Sequence, residues 1–356
     1  MMLRWAFFVS LVALAWHSAA QICNGHAELC ARKYSNITFI GSHDSAFVGS
    51  SVADNQEISV ADQLAQGVRF LQAQTHLDNN TIKLCHTVCV LEDAGPLADY
   101  LTTLKTFLDS NPNEVVTLLL TNPDGQSGTA FDAIFQGSGI KNYTFTPNGN
   151  LTIDQWPTLE QMISTGQRLV VFMDFPAAPL VPYILNEFQS YIFTTDPTFP
   201  QCAIDRPPGA SATGRMTLVN HFLDTNLSGI LIPNRDAANV TNSATSITAQ
   251  ANLCVGLYQK NPNYILLDWI SIGDAMATEA KMNGVTFIPT STPTASSTGG
   301  TSGNPIQSST GTGTGAGTIS GTQSTTPESV SGLEVIGQSK SSSQLAAMIA
   351  LIVLVF

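Results

Sequence analysis

The chain has 356 residues, 43% hydrophobic and 11% charged, with 14 Lys and Arg against 26 Asp and Glu and a formal net charge of −12. A globular domain carries about 25% charged residues, so part of this chain is not an ordinary folded surface. No cluster of Lys or Arg occurs, which argues against nucleic acid as a partner and against electrostatic docking on anionic lipid.

Residues 1–20 (MMLRWAFFVSLVALAWHSAA) place Arg4 before an apolar run and end with Ser18 and Ala20 at −3 and −1 of a cleavage site. That is the pattern of a secretory signal peptide, and the run is short for the alternative, a signal anchor. Residues 21–290 then read as one domain, near the ~250 residues of a (β/α)8 barrel. Asn36–Gly41 predicts the first strand. Ile58, Ala61, Leu64 and Ala65 predict a helix stopped by Gly67, and Val68–Thr75 and Thr81–His86 predict strands. Leu97, Tyr100, Leu101, Leu104 and Leu108 recur at helical spacing between Pro96 and Asn111-Pro112. Val115–Thr121 (VVTLLLT) is a run of the kind buried on both faces. Thr158-x-x-Gln161 is a capping box for a short helix ending at Gly166. Leu169–Phe175 predicts a buried strand, Leu180–Ile192 a helix, Thr217–Phe222 and Tyr264–Asp268 strands, and Ile272–Met282 a last helix. Strands alternating with helices predict an α/β fold, and the strand count favours a single TIM-type (β/α)8 barrel over an open sheet. There is no G-x-G-x-x-G after the first strand and no G-x-x-x-x-G-K-[ST], so dinucleotide and P-loop readings have no support.

Residues 291–344 are rich in Ser, Thr and Gly and predict a disordered, O-glycosylated stalk. Residues 345–356 (LAAMIALIVLVF) are too few to span a bilayer core of roughly 30 Å. A polar spacer before a short apolar terminus is the pattern of a GPI-attachment signal, with Ser329 and Gly337 as candidate attachment sites and a tail-anchored helix as the alternative. The expected location is the extracellular face of the plasma membrane or the cell wall, held in the outer leaflet by that anchor. Six N-x-S/T sequons, at Asn36, Asn79, Asn142, Asn150, Asn226 and Asn239, agree with secretion. Six cysteines remain after the signal: Cys23, Cys30, Cys85, Cys89, Cys202 and Cys254. An oxidising compartment favours three disulfides, and 23–30, 85–89 and 202–254 are the simplest of fifteen connectivities. A zinc site from Cys85, His86 and Cys89 is disfavoured, because secreted thiols oxidise.

In such a barrel the chemistry sits at the C-terminal ends of the strands. Those ends carry His43 and Asp44, then Gln72, Gln74 and His76 on one face, then His86, Thr121-Asn122, Asp174, Asn220-His221 and Asp268. Two histidines from different ends suit a base and an acid near neutral pH. His43 and His86 form that pair, with Asp44 and Asp268 as acceptors that fix the tautomers. One histidine alone is more often a satisfied core or loop residue.

ITFIGSHDSAF, GVRFLQAQTH, KLCHTVC and NPNEVVTLLLTN resemble the X domain of phosphatidylinositol-specific phospholipase C, especially the secreted PLC-like phosphodiesterases of fungi. The resemblance is dense over residues 37–122 and continues through VVFMDF, the segment 202–208 and ILLDW at 265–269. It implies a TIM-barrel phosphodiesterase whose substrate is a phosphodiester-containing lipid or glycolipid. By position His43 is the base that takes the proton of the attacking hydroxyl. His86 is the acid that protonates the leaving oxygen, and Asp44 and Asp268 are the supporting carboxylates. The pattern departs after the second strand. Bacterial members place an Arg there and metal-dependent members two carboxylates for Ca2+, but this chain has Gln72 and Gln74, with Thr121 where a Glu is expected. Neutral amides are poor ligands for a hard cation, so no cofactor and no Ca2+ is expected. Gln72, Gln74, His76 and Arg206 are the expected substrate-binding groups. The leading reading is a cell-surface phosphoric diester hydrolase. Gln72 and Gln74 motivate an alternative, a barrel that binds a headgroup or glycan without catalysis. A glycoside hydrolase using Asp44, Asp174 and Asp268 is the third; it lacks a Glu at any strand end and leaves the histidines unexplained.

Overall fold

A computed structural model of the chain describes residues 21–187, 191–194, 199, 201–227 and 230–289. The signal peptide, stalk and tail predicted from the sequence lie outside the described residues. The polypeptide divides after Pro293, and every described residue belongs to the first unit.

Eight parallel strands form the main sheet: β1 (Phe39–Ser42), β2 (Phe70–Asp78), β5 (Val116–Thr121), β6 (Leu169–Met173), β7 (Ile184–Asn186), β8 (Tyr191–Thr194), β9 (Met216–Asn220) and β12 (Tyr264–Leu267). Their order is β7-β6-β5-β2-β1-β12-β9-β8. The sheet curls into a half-barrel of TIM type with helices on its outer face. Its end strands β7 and β8 share no ladder among the described residues. Two strands also stand where the sequence predicts a helix over Leu180–Ile192. Apolar spacing in so short a window fits either period, and pairing decides it: Ile184–Asn186 takes the edge beside Val171–Met173, and Tyr191–Thr194 the edge beside Met216–Val219.

The strand at β3 (Thr81–Cys85) is not a barrel strand. It runs antiparallel to the far half of β2 and pairs in turn with β4 (Asp93–Pro96). A second antiparallel hairpin, β10 (Asp224–Leu227) with β11 (Ile230–Pro233), follows β9. The longer helices among the described residues are α1 (Val60–Ala65), α2 (Leu97–Ser110), α3 (Gly128–Gly137), α4 (Leu159–Ser164), α5 (Ala244–Tyr258) and α6 (Ala275–Met282). Ser59 caps α1, and the predicted box of Thr158 and Gln161 caps α4. The disulfides are Cys23–Cys30, Cys85–Cys89 and Cys202–Cys254.

Side chains alternate along each strand between two cores. Ile40, Leu71, Leu118, Leu120, Val171, Val219 and Ile265 face the helices with Leu101, Leu104 and Phe131. Phe39, Phe70, Leu119, Phe172, Leu218, Tyr264 and Leu266 fill the interior. The rings of Phe172 and Tyr264 lie 6.1 Å apart although their strands are not neighbours, as residues on one concave face do. Gly41 lets β1 and β2 approach: a Cβ there would lie 2.4 Å from the Phe70 carbonyl oxygen. This plug closes the lower interior. The next inward positions, two residues further on, are His43 after Gly41, Gln72 after Phe70, Asp174 after Phe172, Asn220 after Leu218 and Asp268 after Leu266, with Gln74 two beyond Gln72. The polar site is the layer above the plug.

Candidate active site

β1 and β12 are neighbours in register, Ser42 opposite Leu267, so His43 and Asp268 leave the sheet side by side. His43 Nδ1 donates to Asp268 Oδ1 at 2.8 Å, which sets the tautomer and leaves Nε2 facing away. Asn55, on the loop after β1, donates to the same oxygen at 2.9 Å. Gln56 Nε2 holds the His43 carbonyl at 2.8 Å. Phe222 stacks on the imidazole with ring centres 3.8 Å apart and planes 11° apart.

Asp44 would face the helices if β1 simply continued. Instead it adopts a left-handed conformation, φ +45°, which Asp tolerates better than most residues. Its N–H donates to Gln72 Oε1 at 2.6 Å, and Ser45 N–H donates to the Gln72 carbonyl, which pins the turn. The fully buried Asp44 carboxylate thereby reaches the mouth. Its Oδ2 is 3.5 Å from Nε2 of His43 and 3.5 Å from Nε2 of His86, and accepts Gln74 Nε2 at 2.7 Å. Gln74 Oε1 accepts the N–H of Thr87 at 2.9 Å.

His86 arrives by a route the sequence does not show. The β2–β3 hairpin turns the chain back over the mouth, and His86 sits inside the five-residue ring closed by Cys85–Cys89. The zinc alternative ends there, because both thiols are bonded. His86 Nδ1 is buried and has no partner among the described residues, as are Asp44 Oδ1 and Asp268 Oδ2.

Burial works against a charge on His43, but Asp44 and then Asp268 outweigh it, and its pKa is pushed up to about 9. His43 therefore rests as an imidazolium at neutral pH. Asp224 on the β10–β11 hairpin adds to that field, and its own carboxyl is raised by burial and by Asp268.

His76 is on the part of β2 that pairs with β3, its Nδ1 3.3 Å from Asp124 Oδ2, and it makes no described bond to His43, His86 or Asp44. Arg206 acts on Asp174 at the end of β6, whose carboxyl burial raises to about 6 while the N–H groups of Asn122 and Phe175 oppose the rise. Gln72 and Gln74 are both bonded within the protein, though Gln72 Nε2 has no partner among the described residues. His221 resembles His43 in sequence context but is buried beneath α5, bonded to Gln250, Ser246 and the Thr241 carbonyl, and burial lowers its pKa. Arg69 pairs with Glu114 at 2.7 Å below the sheet, as its parity predicts. Asn55 and Phe222 are the residues that sequence reading misses. Both come from loops, and only Phe222, directly after a strand end, carries any local signal.

The site belongs to an α/β barrel with two histidines converging above its core, and comparison with known proteins narrows the class. Residues 29–283 match the family model described as PI-PLC X. The chain belongs to the family of proteins with a phosphatidylinositol-specific phospholipase C X domain. It is 51% identical over 275 residues to PI-PLC X domain-containing protein 1 of Arthroderma benhamiae, covering 74% of this chain and 90% of that protein. A second protein of that fungus, named an uncharacterized secreted protein, is 43% identical over 287 residues; the match covers 74% of this chain and 64% of that relative's length. Among solved structures, a phosphatidylinositol-specific phospholipase C from Staphylococcus aureus superposes with a TM-score of 0.50 at 15% identity, over 72% of this chain and 94% of that one. That likeness establishes the fold.

Proposed function

We propose that this chain is an extracellular phosphoric diester hydrolase of phospholipase C type, acting on a phosphodiester lipid or glycolipid. One observation carries the reading: imidazoles from two separate loops present Nε2 to the same buried carboxylate oxygen. Neutral His43, oriented by Asp268 and Asn55, takes the proton of an attacking hydroxyl as its oxygen bonds to phosphorus. The ester bond on the far side breaks, and its oxygen takes a proton from His86 Nε2. The base needs a neutral His43, a fraction that grows with pH toward about 9, and the acid needs a proton on His86, so kcat/KM should follow a bell-shaped pH profile. Gln72 and Gln74 offer a hard cation no charge, so turnover should survive EDTA.

The purified chain should cleave phosphatidylinositol or a GPI-type glycolipid, with 31P NMR following the product. His43→Ala and His86→Ala should each cost about 10²- to 10⁴-fold. No product from wild type across such lipids would end the proposal. Phe222, Asn55 and Asp224 supply no charge opposite a phosphate, and Gln74 is already engaged, which favours a second reading of ligand binding without turnover. Equal affinity in wild type and the double His→Ala variant, without product, would select it. As a glycosidase the site is poorly arranged, since Asp44 and Asp268 sit on the two nitrogens of one imidazole. Secretion and N-glycosylation, supported by three disulfides and by exposure of all six sequon asparagines, complete the proposal together with GPI attachment, whose support is the polar spacer and short apolar terminus of the sequence.

A further inference from the structure

Gln74 is almost fully buried, and its two amide atoms bond two different parts of the site. Its orientation is unambiguous. The backbone N–H of Thr87 only donates, so the atom it meets is Oε1, and Nε2 must be the atom that faces Asp44. Asp44 Oδ1 has no partner among the described residues. The direction of that carboxylate is therefore set at Oδ2 alone, by Gln74 and the two rings. Gln72 holds the Asp44 backbone, not its carboxylate. At its other end Gln74 grips the residue next to His86 within the disulfide ring.

We infer that Gln74 is a positioning residue: it keeps Asp44 Oδ2 shared between His43 and His86 and ties the His86 loop to that oxygen. The role rests on the hydrolase reading for its consequence in turnover, but not for its effect on the two imidazoles. Without the amide donor, the carboxylate is free to close on one ring and leave the other. Electrostatic partners then change for both histidines at once.

The test compares wild type with Gln74→Met, which keeps length and loses both bonds, and with Gln74→Glu, which keeps an acceptor for Thr87 and, when ionised, cannot donate to Asp44. In imidazole NMR titrations, Gln74→Met should move the His43 and His86 midpoints in opposite directions. Gln74→Glu should raise both, because a second carboxylate adjoins Asp44. With phosphodiester substrate, kcat should fall about 10²-fold in both variants, as for misplaced catalytic groups, with KM within about threefold. A purely structural amide would lower the melting temperature and leave the titrations of the folded protein unchanged; that result overturns the inference. If Gln74→Met fails to fold, Gln74→Glu carries the measurement. If wild type turns over no phosphodiester, the hydrolase reading falls and the titrations still decide the role of Gln74.

Discussion

His43 shows how one side chain can link catalysis and stability. Two carboxylates face its ring from opposite nitrogens, and they hold the proton more tightly in the folded chain than in the unfolded one, at about 9 against 6.5. A raised folded pKa means a contribution that is complete below about pH 6.5 and disappears as pH climbs through about 9. The difference corresponds to about 3 kcal/mol at most. Glu279, raised to about 8 by burial, loses stability over a lower window between its ordinary 4.5 and 8. Urea denaturation at pH 6 and pH 9.5 should therefore show a larger drop for wild type than for His43→Asn. Equal drops would mean that the ring is not held as an imidazolium. At this scale the sequence was informative because of parity. His43 and Asp268 continue the inward positions of their strands, and polar residues just past apolar ones stand out. Asp44 was found as the neighbour of His43, although its inward turn depends on a left-handed backbone held by Gln72. His221, one position past the inward Asn220, has the helix-facing parity and is structural, since α5 covers it.

At the scale of elements, the β2–β3 hairpin and the Cys85–Cys89 ring do for His86 what a barrel strand does for His43. The ring spans a sequence separation of 4, whereas Cys202–Cys254 spans 52. Loop entropy then assigns about 2 kcal/mol to the first and about 4 kcal/mol to the second. Geometry ranks them the other way for function. Cys85→Ser/Cys89→Ser should lower kcat by at least about tenfold with a modest loss of stability. Cys202→Ser/Cys254→Ser should cost more in melting temperature than in kcat. Calorimetry and initial rates on the same preparations decide between them; the reverse ranking would show that the ring does not hold His86. The existence of a strand at Thr81–His86 was legible from its pattern. Its removal from the barrel was not, because antiparallel return onto β2 is a long-range pairing without a local signal.

For the whole molecule, the described residues divide into an apolar plug of Phe39, Phe70, Phe172 and Tyr264 below and a polar layer above, with helices around both. All of this lies before residue 290. The Ser, Thr and Gly composition of residues 291–344 predicts a segment without a core of its own, so a chain truncated after Pro289 should melt within about 2 °C of the full chain and should keep its kcat. A drop of several degrees would place residues beyond 290 in the fold. The sequence by itself determined the α/β class and the candidate histidines, because each depends on local pattern: period 2 along strands, and polar residues after apolar runs; cysteine spacing offered the three disulfides as the simplest connectivity. Tertiary structure alone decided that Leu180–Ile192 supplies sheet edges and that His86 reaches His43 from a hairpin. It also brought Asn55 and Phe222 to the site and turned Gln74 toward Asp44. These depend on which distant segments meet, and the free energy that selects those meetings belongs to burial and pairing across the whole domain.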